Sequence, residues 1–222
     1  MKDSVISRDR QELSKYLGST AQLAGIRRVV LDDGRGRGCR LAEVNNGSGL
    51  EFTVNCERGL DIADVRFKGV PLAWVSRTGM VHPSYYEPEE FSWLRSFTGG
   101  LLTTCGLRNV GGPGEVNGEK FGLHGRIDHI PGEAVNTSAE WHGNTLELTV
   151  SGAVRESRVF GENLLLKRKF ITKFGSNRLV IEDEITNEDV NPTPFMMLYH
   201  MNFGYPLVAP GAVIETVVPH PV

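Results

Sequence analysis

The stretch Leu198-Tyr199-His200-Met201-Asn202-Phe203-Gly204-Tyr205-Pro206-Leu207 puts one histidine, flanked by Tyr199 and Asn202, at the end of an apolar run and just before a Gly/Pro break. An imidazole has an ordinary pKa of about 6.5, so it can give or take a proton near neutral pH. The run Phe195-Met196-Met197-Leu198 would fix the backbone that carries it. A proton donor held rigidly in a pocket suits acid/base catalysis. A core histidine bonded to a backbone carbonyl fits the local sequence equally well. A second polar cluster is Gly122-Leu123-His124-Gly125-Arg126-Ile127-Asp128-His129. Glycines on both sides of His124 let the backbone approach a ligand closely. On an extended segment the side chains of His124 and Arg126 would share a face. Together they could hydrogen-bond several hydroxyl or carboxylate oxygens. A loop histidine beside a salt-bridging arginine is the plainer reading.

Two further clusters matter. In Glu57-Arg58-Gly59-Leu60-Asp61-Ile62, Arg58 and Asp61 flank an apolar turn and read first as partners of each other, worth at most about 1 kcal/mol if exposed. In Gly99-Gly100-Leu101-Leu102-Thr103-Thr104-Cys105-Gly106-Leu107-Arg108-Asn109, small residues suit close packing around a cavity. Nothing near Cys105 in sequence would lower its pKa, so it reads as a buried thiol rather than a nucleophile. Trp74, Tyr85, Tyr86, Trp93 and Tyr205 could form a wall for a sugar, because apolar sugar faces stack on rings. Core packing explains any one of them equally well.

The elements that must position these groups are short. There are 26 Gly and 11 Pro in 222 residues, which punctuates the chain too often for long helices. The one modest helical signal runs from Ser7, a candidate cap, to Leu17. Arg27 to Leu31, Glu51 to Asn55 and Thr145 to Ser151 read as strands. Leu164 to Thr172 and Leu179 to Thr186 read as a hairpin. In the second of these, Leu179, Ile181, Asp183 and Ile185 share one face. Many short strands with frequent turns predict an antiparallel all-β sandwich or barrel. Residues 1–20 read as a helical or irregular arm and 21–222 as one β-domain.

Net charge is −3 with mixed signs, so neither a basic stripe for nucleic acid nor an acidic tail is present. Gly34-Arg35-Gly36-Arg37-Gly38 lacks interleaved aromatics and reads as a surface turn. Val110-Gly111-Gly112-Pro113-Gly114-Glu115 lacks the Lys-Ser/Thr of a phosphate-binding loop. Cys39, Cys56 and Cys105 are widely spaced and form no CxxC pair, which fits reduced thiols in a cytosolic protein. No apolar leader or membrane span is visible, so a cytoplasmic protein is expected.

Taken in order, these clusters resemble the galactose-mutarotase-like superfamily, nearest to its bacterial aldose 1-epimerase-like branch. The resemblance covers roughly residues 20 to 210 and includes Gly161-Glu162-Asn163-Leu164-Leu165-Leu166. It implies a large antiparallel β-sandwich (a supersandwich). It implies a general-acid role for His200, which follows the turn Asn191-Pro192-Thr193-Pro194. It implies sugar binding by His124, with Arg58, Arg126, Arg108 and Asn202 as further contacts. The implied reaction interconverts sugar anomers by opening and closing the ring, with a small-molecule sugar as partner and no metal, nucleotide or flavin. The family's base is a glutamate in a C-terminal segment that has no counterpart here. Glu182, Glu184 and Glu215 read instead as strand-surface charges. Without that segment the sandwich would expose an edge, which is compatible with a homodimer. Two other readings compete. One is a metal-dependent sugar isomerase using His124, His129, Glu133 and His200; the other is a carbohydrate-binding module without catalysis. The epimerase-like reading requires the imidazoles of His124 and His200 to meet across a shared hollow lined by strands.

Overall fold

A computed structural model describes residues 9–215. Ser7, the expected helix cap, lies outside the described residues. The helix is one short turn, α1 (Arg10–Ser14), and Asp9 caps it by accepting the Glu12 amide at 2.8 Å. The strands are β1 (Gly25–Val30), β2 (Arg40–Asn45), β3 (Leu50–Asn55), β4 (Asp61–Phe67), β5 (Val70–Pro71), β6 (Leu102–Leu107), β7 (Gly114–Val116), β8 (Glu119–Phe121), β9 (Glu133–His142), β10 (Thr145–Ser157), β11 (Asn163–Lys173), β12 (Leu179–Asn187) and β13 (Met196–Met201).

These strands make an antiparallel β-sandwich. One sheet runs β1-β2-β3-β4-β6-β13, with β5 beside β4, and the other runs β12-β11-β10-β9. β7 and β8 form a separate two-stranded hairpin. Each expected strand is present, and period-2 alternation explains why. In β10 the inward positions Leu146, Leu148, Val150 and Val154 are buried. They meet Leu164, Leu166 and Phe170 of β11 and Val44, Phe52, Val54, Ile62 and Leu102 of the opposite sheet in one core. Each such side chain contributes about 1.5–3 kcal/mol when fully buried. Leu179, Ile181, Asp183 and Ile185 do share the inward face of β12, while Val180, Glu182 and Glu184 are exposed.

The carboxylate on that apolar face has its partner on the neighbouring strand of the same sheet. Arg168 of β11 is fully buried, and its Nε and Nη2 donate to Asp183 at 2.8 and 2.7 Å. Its Nη1 reaches the other sheet, donating to Asp61 at 2.9 Å and to Thr104 Oγ1 at 2.7 Å. So Arg58 and Asp61 are not partners of each other: Asp61 latches the two sheets through Arg168, while Arg58 pairs with Asp128. β13 is an edge strand whose outer side meets no strand among the described residues, and Met196, Leu198, Tyr199 and Met201 are exposed along it.

Candidate functional site

β13 pairs with β6 so that His200 lies opposite Thr103. Alternation sends Tyr199 the other way, where its hydroxyl donates to Asp183 at 2.6 Å. Just after the strand, the side-chain amide of buried Asn202 donates to the carbonyls of Gly100 (3.0 Å) and His200 (3.1 Å). This ties the end of β13 to the loop that enters β6.

His124 arrives by a turn, not by the extended segment expected. Its φ is 59° and that of Gly125 is 76°, which abolishes the shared face predicted for His124 and Arg126. The turn lies against β6: the Gly106 amide donates to the His124 carbonyl at 3.0 Å. A Cβ on residue 125 would stand 2.4 Å from the Gly106 carbonyl oxygen, so the close approach requires glycine.

The two imidazoles meet. Their centroids are 5.5 Å apart and their planes cross at 78°. They belong to a closed circuit of four rings: His200 to Phe97 at 5.6 Å, Phe97 stacked on Trp93 at 4.5 Å, and Trp93 edge-on to His124 at 5.0 Å. Trp74 joins Phe97 from the exposed side at 5.9 Å. Both histidines are half-buried, so the pair keeps an open side. Burial first, and repulsion from His200 second, hold the His124 pKa below its ordinary value, while Asp128 pulls the other way. Phe97 was not anticipated, because nothing in its local sequence separates it from a core phenylalanine.

Beneath the pair sits a sealed polar cluster. Arg58 Nη2 donates to Asp128 Oδ2 at 2.9 Å and to His129 Nε2 at 3.0 Å, and its Nη1 donates to the carbonyls of Ser96 (2.8 Å) and Val81 (3.1 Å). Trp93 Nε1 donates to Asp128 Oδ1 at 3.1 Å. Since Arg58 can only donate, His129 accepts at Nε2 and gives its Nδ1 proton to Asp128 at 2.8 Å. Burial acts to raise the Asp128 pKa, but His129 and Arg58 outweigh it and hold this carboxyl below its ordinary range. Ser96, His129 and Asp128 have the connectivity of a hydrolytic triad, with Ser96 Oγ 2.8 Å from His129 Nε2. All three are buried, so no substrate reaches the serine.

The remaining expected contacts are dispersed. Arg58 lies under the ring circuit, committed to Asp128 and His129. Arg126 is exposed, and its charge acts on the Tyr86 phenol and the Glu156 carboxyl. Arg108 pairs with Glu162 at 2.7 Å and Glu119 at 3.0 Å, so it anchors the β7–β8 hairpin. Tyr86 stacks on His129 at 4.1 Å, Tyr85 lies under Arg35, and Tyr205 is exposed. Cys105 is fully buried, and burial raises its pKa. The metal-isomerase quartet does not assemble. His129 is consumed by Asp128 and Arg58, Glu133 faces Arg155, and no three His, Cys, Asp or Glu converge among the described residues.

Three solved structures share this architecture. A protein from Klebsiella pneumoniae subsp. pneumoniae, to which aldose 1-epimerase activity has been ascribed, superposes with a TM-score of 0.77 at 25% identity, over 84% of this chain and 51% of that one. A galactose 1-epimerase from Lactobacillus acidophilus gives 0.55 at 17% identity, over 81% and 53%. A galactose mutarotase-like protein from Clostridium acetobutylicum gives 0.58 at 12% identity, over 84% and 56%. The chain thus spans about half the length of each, and its fold is the galactose mutarotase-like sandwich. Among curated proteins, none matches the sequence. Residues 36–221 match the family model described as Domain of unknown function (DUF4432), and the chain belongs to that family.

Proposed function

We propose that this domain binds an aldose against the His124–His200 pair and that His200 serves as the acid of an aldose 1-epimerase-like reaction. The observation that carries this reading is the contact of the two imidazoles, with centroids 5.5 Å apart, in an aromatic circuit that leaves both histidines partly exposed. Rings offer a sugar's apolar face a stacking surface, and imidazoles read its oxygens. In the reaction His200 gives a proton to the ring oxygen as the bond from that oxygen to the anomeric carbon breaks. The anomeric hydroxyl loses its proton to a base. The freed aldehyde rotates and the ring closes on its other face, with both protons returned. The sugar's carbon skeleton and oxidation state are unchanged. The arginines contribute indirectly: Arg58 holds the Asp128–His129 floor, and Arg108 anchors the neighbouring hairpin.

The base is the open role. Asp128, the buried carboxylate whose charge acts on His124, has its oxygens occupied by Arg58, Trp93 and His129. Glu182, Glu184 and Glu215 are exposed surface charges. That commitment favours a second reading, a carbohydrate-binding domain without catalysis. Anomer exchange of galactose, glucose and other aldoses, followed by polarimetry and NMR, separates the two. Acceleration that His200→Ala abolishes, with sugar binding partly retained, supports the epimerase. Acceleration unchanged in that variant removes His200 from the acid role. Binding without acceleration supports the second reading.

A further inference from the structure

The Gly-rich segment that precedes β7 has a task that its sequence does not announce. It leaves the sheet at Arg108 and closes back on the His124 turn by two bonds to one residue. The His124 amide donates to the Gly111 carbonyl at 2.9 Å, and the Gly111 amide donates to His124 Nδ1 at 3.2 Å. Asn109 secures the base of this excursion by donating to the Gly122 carbonyl at 2.8 Å. A backbone N–H can only donate, so Nδ1 must present its lone pair to Gly111. In a neutral imidazole the proton then sits on Nε2.

We propose that Gly111 is a positioning residue that fixes His124 as the Nε2–H tautomer, so that His124 acts toward a bound sugar as a neutral hydrogen-bond donor. This rests on the sugar-binding reading above. It divides the work of the pair: His124 donates and holds an oxygen, and His200 is left to move protons. It also removes His124 from candidacy as the base, since its one free nitrogen already carries a hydrogen. The occupied Nδ1 means that the donor's direction is set before any sugar arrives, which lowers the ordering cost of binding. Gly111 suits the role because its φ of 82° aims both its N–H and its C=O at one residue, and a Cβ there would meet nothing within 4 Å.

Nitrogen-15 NMR of the histidine rings in the intact chain tests this directly. The expected result is that neutral His124 shows a protonated Nε2 and a bare Nδ1, and that galactose or glucose shifts the Nε2 resonance. In Gly111→Pro, which deletes the amide donor and cannot hold the φ of 82°, the signal should move toward a mixture of tautomers and sugar affinity should fall by about tenfold, the loss of one hydrogen bond. Gly111→Ala, which keeps the N–H, should retain the Nε2–H form. A neutral His124 carrying its proton on Nδ1 overturns the proposal without need of any variant. So does an unchanged tautomer in a folded Gly111→Pro protein. A sugar that perturbs His200 but not His124 overturns the donor role while sparing the sugar-binding reading. No sugar response anywhere, with the tautomer as expected, fails that reading and leaves the Gly111 clamp standing.

Discussion

His124 and His200 reach their contact by unrelated routes, one from a left-handed turn and one from a regular strand. What joins them is a set of rings and one indole N–H. Trp93 stands edge-on to His124 and donates to Asp128, so it ties the partly exposed pair to the buried floor. Trp93→Phe keeps a ring but strips Asp128 of a donor. Leaving a buried acceptor short of a partner costs about 1–3 kcal/mol. A urea midpoint lowered by that amount, with the fold intact by circular dichroism, is the expected outcome; an unchanged midpoint would show that Asp128 needs no third partner. At this scale the sequence was partly legible. His124 and His200 stood out because histidines beside Gly and Pro breaks are conspicuous. The fates of Arg58 and Asp61 did not, because adjacency along the chain suggested a local pair while each had a better partner across the fold.

Among the elements, the β4–β6–β13 side of the large sheet and strand β11 of the small one are held in register by Arg168. It touches Asp61 and Thr104 on one sheet and Asp183 on its own. A buried ion cluster is weak as a source of stability but costly to break, because the orphaned charges stay buried. Arg168→Met should therefore lower unfolding free energy by about 3–5 kcal/mol. Adding Asp61→Asn and Asp183→Asn should restore much of it. Calorimetry on the single and triple variants checks both signs, and a single-variant loss under about 1 kcal/mol would show that the cluster behaves as a surface pair does. β1, β3, β10, β11 and β12 were legible as short apolar or alternating runs, since a period of two leaves little freedom in which residues face inward; the other strands were not read from the sequence. The turn at His124 was not. Its shape comes from a long-range contact, the approach of Gly125 to Gly106, which no window around residue 124 contains.

At the scale of the whole molecule, two buried carboxyls make stability depend on pH. Burial raises Glu156 from 4.5 to about 7 and Asp61 from 3.8 to about 6. The folded state thus holds protons that the unfolded chain has already released. Their stabilising effect is complete below the unfolded values and is lost as pH rises through about 6 to 7, at up to about 1.4 kcal/mol per pH unit for each group. Urea midpoints should be higher near pH 5 than near pH 8, by that linkage, and Glu156→Gln should flatten the slope. A midpoint that climbs over this interval would contradict the assignment. The all-β class was legible from the sequence because many short runs contribute to the strand pattern, whereas the order of strands within the sheets was not. Nor was the ring circuit, because its members come from three separate stretches of chain that only the closed sandwich brings together.

That circuit gives the protein a built-in optical gauge. A protonated imidazole quenches an adjacent indole more strongly than a neutral one, and Trp93 lies buried with its ring edge-on to His124. With Trp74 and Trp141 replaced by Phe, the ultraviolet emission of Trp93 should therefore follow the charge of His124 without any attached dye.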